Sequence, residues 1–554
     1  MKTNLDALIV GAGPVGLSMA AAFSLQGLRF RIIDSAADRV DESRAIGIQA
    51  RTIEIFEMCG IVDEFLALGH RLNGVTIYGE NGSKIGHLSF EKIPSQFPFL
   101  LALPQSETER ILGEHLHRQN VEIERGTSLI SFEQSELEVC AQISLPNGKR
   151  EEVHADWLVG CDGAHSRVRD LLNLQFAGKT YDLHFLLGDV HVESSLLEDK
   201  AHIFGRADGL FGFFPLGNSL HRLVADNPPE QLRTGQRPTL QQWQELADSR
   251  SSVPMRLTNL EWSTYFRVNS RMVERLKRGH IFVLGDAAHV HSPALAQGMN
   301  TGIQDAWNLG WKLGLVQRSV ARADLLDTFE EERKPIELGV LKMTDLTQNM
   351  ITARRRANRV LRDALLPVLS GIKAFQSRAA TTISEIGIEY RASRIVEDHR
   401  LPDGPHSGDR APGAMVYLNG RKVSTISLFG RDHVLLAIAG SDSEPAYYKA
   451  IKQTLGLVQD RYNDLIKPYL VLRDDEPSVR NGFDILIDPE DQIAQKYGES
   501  ACLYLIRPDG YVAFRCHAAS NHFLERYLAR HFVKNRKSEG IEEPSEGIRW
   551  RRGF

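Results

Sequence analysis

Leu5–Asp34 reads LDALIVGAGPVGLSMAAAFSLQGLRFRIID, and the fold is decided here. Leu5–Val10 is an apolar run suited to a buried strand, and Gly11-Ala12-Gly13-Pro14-Val15-Gly16 follows at once. The pattern then predicts a helix through Leu17, Ala20, Ala21 and Leu25, capped by Gly27, and a second strand over Leu28–Asp34. Within a strand-turn-helix-strand unit, GxGxxG has a mechanical meaning. The first glycine makes the turn, the second lets backbone approach a pyrophosphate, and the third lets the helix pack on the strand. Asp34 ends the second strand, where a carboxylate accepts from ribose hydroxyls. A plain glycine-rich connection would not need that acid, so the stretch reads as a complete dinucleotide fingerprint.

Two later stretches repeat the theme of a strand ending at an acid. Trp157–Cys161 (WLVGC) runs into Asp162-Gly163, and Ile281–Leu284 (IFVL) runs into Gly285-Asp286. Open α/β sheets bind ligands at the carboxyl ends of their strands, which makes both acids candidates. From about Met299 the pattern turns helical, with Ile303, Ala306, Trp307, Gly310, Leu313 and Gly314 on one face. Gln297-Gly298-Met299-Asn300 therefore sits at a helix start, where free N–H groups and the helix dipole favour negative charge. Arg44 precedes a helix expected over about Gln49–Cys59 and capped by Gly60. It is a candidate cofactor contact, and Arg39 nearby leaves a phosphorylated ribose open on local grounds. Gln105 begins another helix, in which Ser106 and Glu109 fit a capping box.

At 554 residues, and ~100–200 residues per domain, the chain has room for three or four domains or two larger ones. Hydrophobic content of 42% with 25% charge is that of a water-soluble chain with a large core. A net charge of −5 gives no footprint for nucleic acid. The cysteines (Cys59, Cys140, Cys161, Cys502 and Cys516) show neither CxxC nor metal-ligand spacing, so no metal is expected and a reduced cytoplasmic protein is. Leu8–Phe23 is apolar enough to imitate a signal peptide, but its glycines and proline fit a folded turn and helix better. No run reaches the ~20 apolar residues of a membrane span, so no membrane partner is expected.

Residues 120–160 read as β-rich. Residues 170–275 read as strands and loops, including LHFLLGDVHV, HIFG and LFGFFPLGNSLHRLVAD, which suggest an antiparallel sheet with one face open to an apolar ligand. Phe211, Phe213 and Phe214 are expected in the core, and His184, His202 and His221 are read as satisfied or exposed rather than catalytic. A basic helical segment is expected around Ile351–Leu366, with Arg354, Arg355 and Arg356 as a solvated face. Pro, Gly, Asp and Arg crowd residues 395–415, a boundary signal. Beyond it a smaller α/β pattern has strands at His433–Ala439, Tyr469–Leu472, Leu503–Ile506 and Tyr511–Arg515. The last twenty or so residues read as a frayed tail.

GAGPVG with Asp34, Asp162-Gly163 and GDAAH at 285–289 together resemble the single-component flavoprotein aromatic hydroxylases of the para-hydroxybenzoate hydroxylase type. The closest likeness is to the phenol and pentachlorophenol monooxygenase branch, which includes polyketide hydroxylases. GDAAHVHSP, QGMNTGIQDAWNLGWKL and LLDTFEEER carry the likeness over residues 4–345, and GDRAPGA and LIRPDGYVAFR extend it loosely to the C-terminal part. The resemblance implies an α/β fold with a discontinuous Rossmann-like FAD-binding domain (1–175 and 270–395). It further implies an inserted antiparallel-sheet substrate domain (176–269), a thioredoxin-like C-terminal domain without CxxC (400–535) and a tail (536–554).

It also implies FAD, reduction by NADPH or NADH, dioxygen, and hydroxylation of a phenolic or polycyclic aromatic substrate through a flavin C4a-hydroperoxide. By the same resemblance, Gly11, Gly13 and Gly16 hold the pyrophosphate and Asp34 the adenosine ribose. Arg44 and Gln105 touch the phosphate or ribityl region, and Asp162 and Gly163 serve FAD and the nicotinamide nucleotide. Gly285 and Asp286 take the ribityl hydroxyls, and Pro293 lies beside the reacting edge of the flavin. Gly298, Met299 and Asn300 stabilise negative charge on the reduced pyrimidine, as preorganised N–H donors do. The family usually places two glycines before Gln297, whereas here Leu295-Ala296 stands there, and Leu295 adds bulk near the flavin.

The competing reading keeps the fold and makes the protein a flavin-dependent reductase or oxidase. A flavin-bound interaction protein without catalysis is a third reading, opposed by the intact Asp-Gly and GDAAH sites. An NAD dehydrogenase leaves GDAAH without a role. The C-terminal part is assigned to packing or dimer contacts, and a homodimer is an admissible assembly.

Overall fold

In the computed structural model, residues 5–39, 45–233, 236–291, 296–351, 371–440, 445–474 and 482–533 are described. The basic segment expected around 351–366 and the tail lie outside them, apart from the end of one helix at Ile351.

The first sheet has the order Lys277–Arg278, Ile281–Val283, Arg150–Gly160, Leu5–Val10, Phe30–Asp34, Ile123–Arg125. Its last five strands are parallel, and Val139–Ser144 and Ser128–Gln134 branch from Arg150–Gly160 as an antiparallel extension. Ala7–Val10 and Ile281–Val283 are wholly buried, which is why they read as unbroken apolar runs rather than alternating ones. The helix Pro14–Gln26 covers this sheet and ends at Gly27 in the left-handed region, φ 71°. Against it lies the helix Gly298–Gln317. A Cβ on Gly310 would stand 2.6 Å from Ala22 Cβ, and one on Gly314 would stand 2.7 Å from the Gln26 side chain. Small residues on one face thus let two helix backbones meet.

The expected antiparallel sheet is present, but it is wider than 176–269. Its order is His289–Val290, Met255–Val273, Phe176–Ser194, Leu220–Asp226, Leu210–Gly217, Ala201–Gly205, Gly74–Tyr78, Lys84–Ser89. The early hairpin joins through a parallel pairing of Gly74–Tyr78 with Ala201–Gly205. The region also holds a helix, Leu240–Arg250, where strands and loops are expected. Thr239 and Gln242 close a capping box at its start, and Trp243 packs onto Gly188 while donating to Ser263 Oγ at 3.1 Å. Phe211 and Phe213 are core, as expected.

A three-stranded sheet (Gly47–Ile48, Leu100–Ala102, His70–Leu72) packs against Leu210–Gly217 of the antiparallel sheet. The C-terminal sheet has at its centre Val512–His517, Cys502–Ile506, His433–Ile438 and Ile466–Leu472, in that order. The last two are parallel and Cys502–Ile506 runs against both of its neighbours. Among the described residues no helix is long and apolar enough to cross a membrane.

Candidate active site

Leu5–Val10, Arg150–Gly160 and Ile281–Val283 share one direction, with Arg150–Gly160 in the middle. Their carboxyl ends therefore bring the glycine turn, Asp162-Gly163 and Gly285-Asp286 to one sheet edge. The approach is close. A Cβ on Gly11 would stand 2.4 Å from the Cys161 carbonyl oxygen and 2.8 Å from Asp162 Cα, and one on Gly16 would stand 1.9 Å from the Gly11 oxygen. Val15 joins the turn to the last motif. A Cβ on Gly285 would meet Val15 Cγ2 at 2.7 Å, and one on Gly302 would meet it at 2.6 Å.

Gly13 is different, because nothing lies within 4 Å of a Cβ built there. It is the N-cap of Pro14–Gln26, a helix with no side-chain cap and no acid in its first turn. The helix start thus offers backbone N–H groups to open space, which suits a pyrophosphate. Asp34 stands beside it. Its Oδ2 accepts from Ala12 N at 2.6 Å and its Oδ1 from Ala36 N at 2.8 Å. Arg125 Nη1 lies 3.5 Å from Oδ2, a neighbour supplied by the pairing of Asp34 with Arg125 across parallel strands. The sequence reading does not identify Arg125, since only strand register places it there.

Asp162 turns inward. Ser166 Oγ donates to its Oδ1 at 2.5 Å and Val168 N to its Oδ2 at 3.0 Å, and burial pushes its carboxyl up. What this motif presents beside the glycine turn is backbone. Arg169, also missed in the sequence, stitches two motifs together. It donates to Ala164 O at 2.9 Å and Ala287 O at 3.3 Å, with its guanidinium 4.1 Å from the Phe176 ring centre.

Asp286 is exposed, while Gly285 and Ala287 on either side are buried. Behind this turn Asp305 collects three donors: Gly285 N at 3.2 Å, His289 Nε2 at 2.9 Å and Arg333 Nε at 2.7 Å. Arg333 also donates to Thr301 O at 3.1 Å, so the cluster ties the Gly285 turn to the start of helix Gly298–Gln317. Burial alone would lower His289, but Glu337 and Asp305 more than reverse it and hold its pKa at about 9. Burial would likewise raise Asp305, and Arg333 and His289 bring it below its ordinary value. His289, Asp305 and Glu337 are near enough to share an ion, and Arg333 already supplies Asp305 with a counter-charge.

The start of Gly298–Gln317 has no side-chain cap and no acid in its first turn. Asn300 holds it in place. Its Nδ2 donates to Gly47 O and Ala296 O, each at 2.8 Å, and its Oδ1 accepts from Gln49 N at 2.9 Å. The Asn300 side chain is therefore a clamp, and no side chain caps the helix's leading N–H groups. Ala296, at one of the two positions where glycine is usual, has φ 52°. Gln105 is engaged locally, accepting from Ala45 N at 3.3 Å and donating to Glu109 at 2.9 Å. Pro104 is the N-cap of that helix without a side-chain bond, so the expected Ser106–Glu109 capping box does not form. Arg44, Pro293 and Leu295 lie outside the described residues.

Residues 4–344 match the family model described as an FAD binding domain, and residues 404–534 match the one described as the aromatic-ring hydroxylase C-terminal region. The chain belongs to the FAD-dependent aromatic-ring hydroxylases. Pentachlorophenol 4-monooxygenase of Sphingobium chlorophenolicum is 30% identical over 92% of this chain and 93% of that protein. The anhydrotetracycline hydroxylase of Streptomyces rimosus superposes with a TM-score of 0.75 at 27% identity, covering 96% of this chain and 99% of that one. Aklavinone-11 hydroxylase, solved with FAD and aklavinone, gives 0.73 at 26% identity over 96% and 99%. This hydroxylase is a flavoprotein monooxygenase and FAD is its cofactor.

Proposed function

We propose that this monooxygenase hydroxylates a phenolic or fused-ring aromatic compound with NADPH or NADH and dioxygen as co-substrates. The observation that carries the reading is the meeting of three strand-end motifs at one sheet edge, with Gly11 against Cys161-Asp162 and Val15 against Gly285, around the open space at Gly13. Bound there, FAD would supply hydride acceptance from the nicotinamide and activation of dioxygen.

The chain's own residues then have distinct tasks. Gly11, Gly13 and Gly16, with the start of Pro14–Gln26, would hold the pyrophosphate, and Asp34 the adenosine ribose with Arg125 alongside. Gln105 and Arg44 would border the phosphate and ribityl region. Backbone at Asp162 and Gly163 would line the same side, and exposed Asp286 beside Gly285 would accept from ribityl hydroxyls. The N–H groups at Gly298, Met299 and Asn300 would face the pyrimidine and favour the negative charge that hydride arrival leaves there. Pro293 would stand near the reacting edge. Ile46, Val75, Leu88, Phe214 and Leu220 are partly exposed apolar side chains packed on the core that includes Leu72, Leu100 and Leu216. They would receive the substrate ring and keep water from the oxygen chemistry.

The domain reading is supported in the same way. The parallel sheet fits a Rossmann-like FAD domain drawn from 1–175 and 270–395, with 176–269 inserted as the main part of an antiparallel sheet that Gly74–Tyr78, Lys84–Ser89 and His289–Val290 of the first domain complete. The order and directions of the central C-terminal strands, with helices Pro445–Tyr462 and His522–His531, fit a thioredoxin-like unit over 400–535. With no CxxC in the chain, that unit would act by packing. Five unpaired cysteines favour a reducing, cytoplasmic setting.

The test is anaerobic stopped-flow reduction of the FAD-loaded protein by NADPH and by NADH, with and without a panel of phenols and fused-ring phenols. Acceleration by one aromatic compound, with product formed per nicotinamide oxidised, supports hydroxylation. Fast reduction without any aromatic compound, ending only in hydrogen peroxide, favours the reductase or oxidase reading.

A further inference from the structure

Trp311 lies on helix Gly298–Gln317, roughly 20 Å along the axis from the flavin-facing start at ~1.5 Å per residue. There the helix faces the C-terminal sheet across a cavity of about 250 Å³. Trp311, Ile395, His433, Tyr527 and Phe532 are among its walls, and Arg322, Arg394 and Arg530 stand around it. Two polar atoms in these walls have no partner. Trp311 is 3% exposed and its indole N–H donates to nothing, while His433 is 2% exposed and its Nδ1 is unpaired. Buried polar groups are almost always hydrogen-bonded, so two orphans lining one cavity mark a place for a polar ligand.

The charges say which sign. Arg507 backs the cavity but is saturated by Glu332 and Asp509. Arg394 donates to Asp324 O at 2.6 Å and pairs with Glu331 at 3.5 Å and Asp327 at 3.7 Å, and Arg530 pairs with Glu397 at 3.0 Å. The guanidinium of Arg322, exposed at the rim, makes no hydrogen bond or ion pair among the described residues, and Asp324 is the one acid in the lining. Burial first, then Arg507, Arg318 and His531, keeps His433 neutral, with its pKa down to about 3. Of the guanidiniums in the lining, that of Arg322 alone has no acid beside it among the described residues, and that is where an anion would gain most. The walls add shape. Trp311 and Phe532 stand edge-on to His433, with ring centres 5.4 and 5.0 Å away. A cavity of ~150 Å³ takes benzene, so this one has room for a ring and a carboxylate.

We propose that this cavity binds a small aromatic carboxylate, its carboxylate meeting Arg322 and the Trp311 N–H and its ring packing among Ile395, His433 and Phe532. The site is separate from the flavin cradle and joins the C-terminal sheet to the helix that serves it.

Calorimetric titration of the FAD-loaded protein with sodium benzoate tests this, with inorganic phosphate as a second arm and flavin absorbance followed in parallel. One benzoate is expected per chain, with phosphate at least tenfold weaker and the flavin spectrum unchanged. Arg322→Gln removes an exposed side chain and leaves the core intact, and Trp311→Phe removes the N–H but keeps a ring. Each is expected to weaken benzoate at least tenfold. The proposal is overturned if benzoate gives no saturable binding or if both variants bind it like the unaltered protein. It is also overturned if the flavin spectrum follows the isotherm, or if phosphate binds as well as benzoate, which would make the site a cationic surface only.

Discussion

Glu385 sets a pH dependence that can be isolated with one isosteric substitution. It is 2% exposed behind the first turns of helix Gly298–Gln317, where Thr301 Oγ1 donates to Oε1 at 3.1 Å and Gln304 Nε2 lies 2.6 Å from Oε2. Burial pushes its carboxyl up to about 8, and Arg333 opposes this only in part. Gln304 Oε1 is itself buried without a partner. A rise from 4.5 to about 8 corresponds to roughly 5 kcal/mol, at ~1.4 kcal/mol per pH decade. The folded state holds this proton more tightly than the unfolded chain does. The stability it contributes is therefore complete below pH 4.5 and is lost as pH rises to about 8. Glu337, raised to about 8 by burial, and His289, held at about 9 by its acids, slope the same way. Glu385→Gln stays neutral at every pH. Urea unfolding at saturating FAD is expected to give near-equal stabilities at about pH 4 and an advantage of roughly 2–5 kcal/mol for the variant at about pH 9. Parallel pH profiles, or a variant weaker than the original at the alkaline end, would refute the neutral-acid argument.

Three further outcomes are expected. Asp286→Ala should weaken FAD binding at least tenfold, about 1.4 kcal/mol, while changing stability without FAD by only about 0.5 kcal/mol, because Asp286 is exposed. Flavin titration beside thermal melting separates the two effects, and full flavin occupancy in the purified variant would count against the cradle. Ala296→Gly should raise the melting temperature through relief of about 1 kcal/mol, since φ 52° suits glycine and strains alanine. A lower melting temperature would contradict that. Arg507→Met removes the guanidinium that binds Glu332 at 2.7 and 2.9 Å, all of it buried. It should cost about 3–5 kcal/mol in urea unfolding, with part recovered by adding Glu332→Gln, because the loss comes from a buried charge left without its partner. A cost below 1 kcal/mol would show the pair to be unimportant.

The proposed flavin cradle is legible in the sequence because its demands are local. Gly11 has to turn at φ 102°, Gly16 has to leave room for the Gly11 oxygen, and each acid has to end a strand. What local patterning could not show is who stands behind the cradle. Arg125 reaches Asp34 only through strand register, and Arg169 links Ala164 to Ala287 only because two distant strand ends are neighbours. The early hairpin Gly74–Tyr78 and Lys84–Ser89 joins the middle sheet by pairing with a strand that comes much later in the chain. Helix Gly298–Gln317 shows the limit best. Its small and apolar face is readable, yet Thr301, Gln304, Asp305, Asn308 and Lys312 recur at helical spacing on another face and would ordinarily be assigned to solvent. All five are buried, because acids and bases from elsewhere meet them. Arg333 meets Asp305, Glu385 meets Thr301 and Gln304, and Glu332 meets Asn308 and Lys312. Arg507 and Asp509, from the C-terminal hairpin turn, complete the set, with Arg51 donating to Asp509 O at 2.5 Å. Burial pulls Lys312 down to about 8 even with Glu332 beside it, so this stripe has little electrostatic margin. Without the C-terminal turn, Glu332 would lose its Arg507 partner against the helix whose other end is proposed to serve the flavin. The C-terminal sheet on this reasoning buttresses helix Gly298–Gln317 from behind, and the absence of a CxxC motif is no obstacle to its having that role.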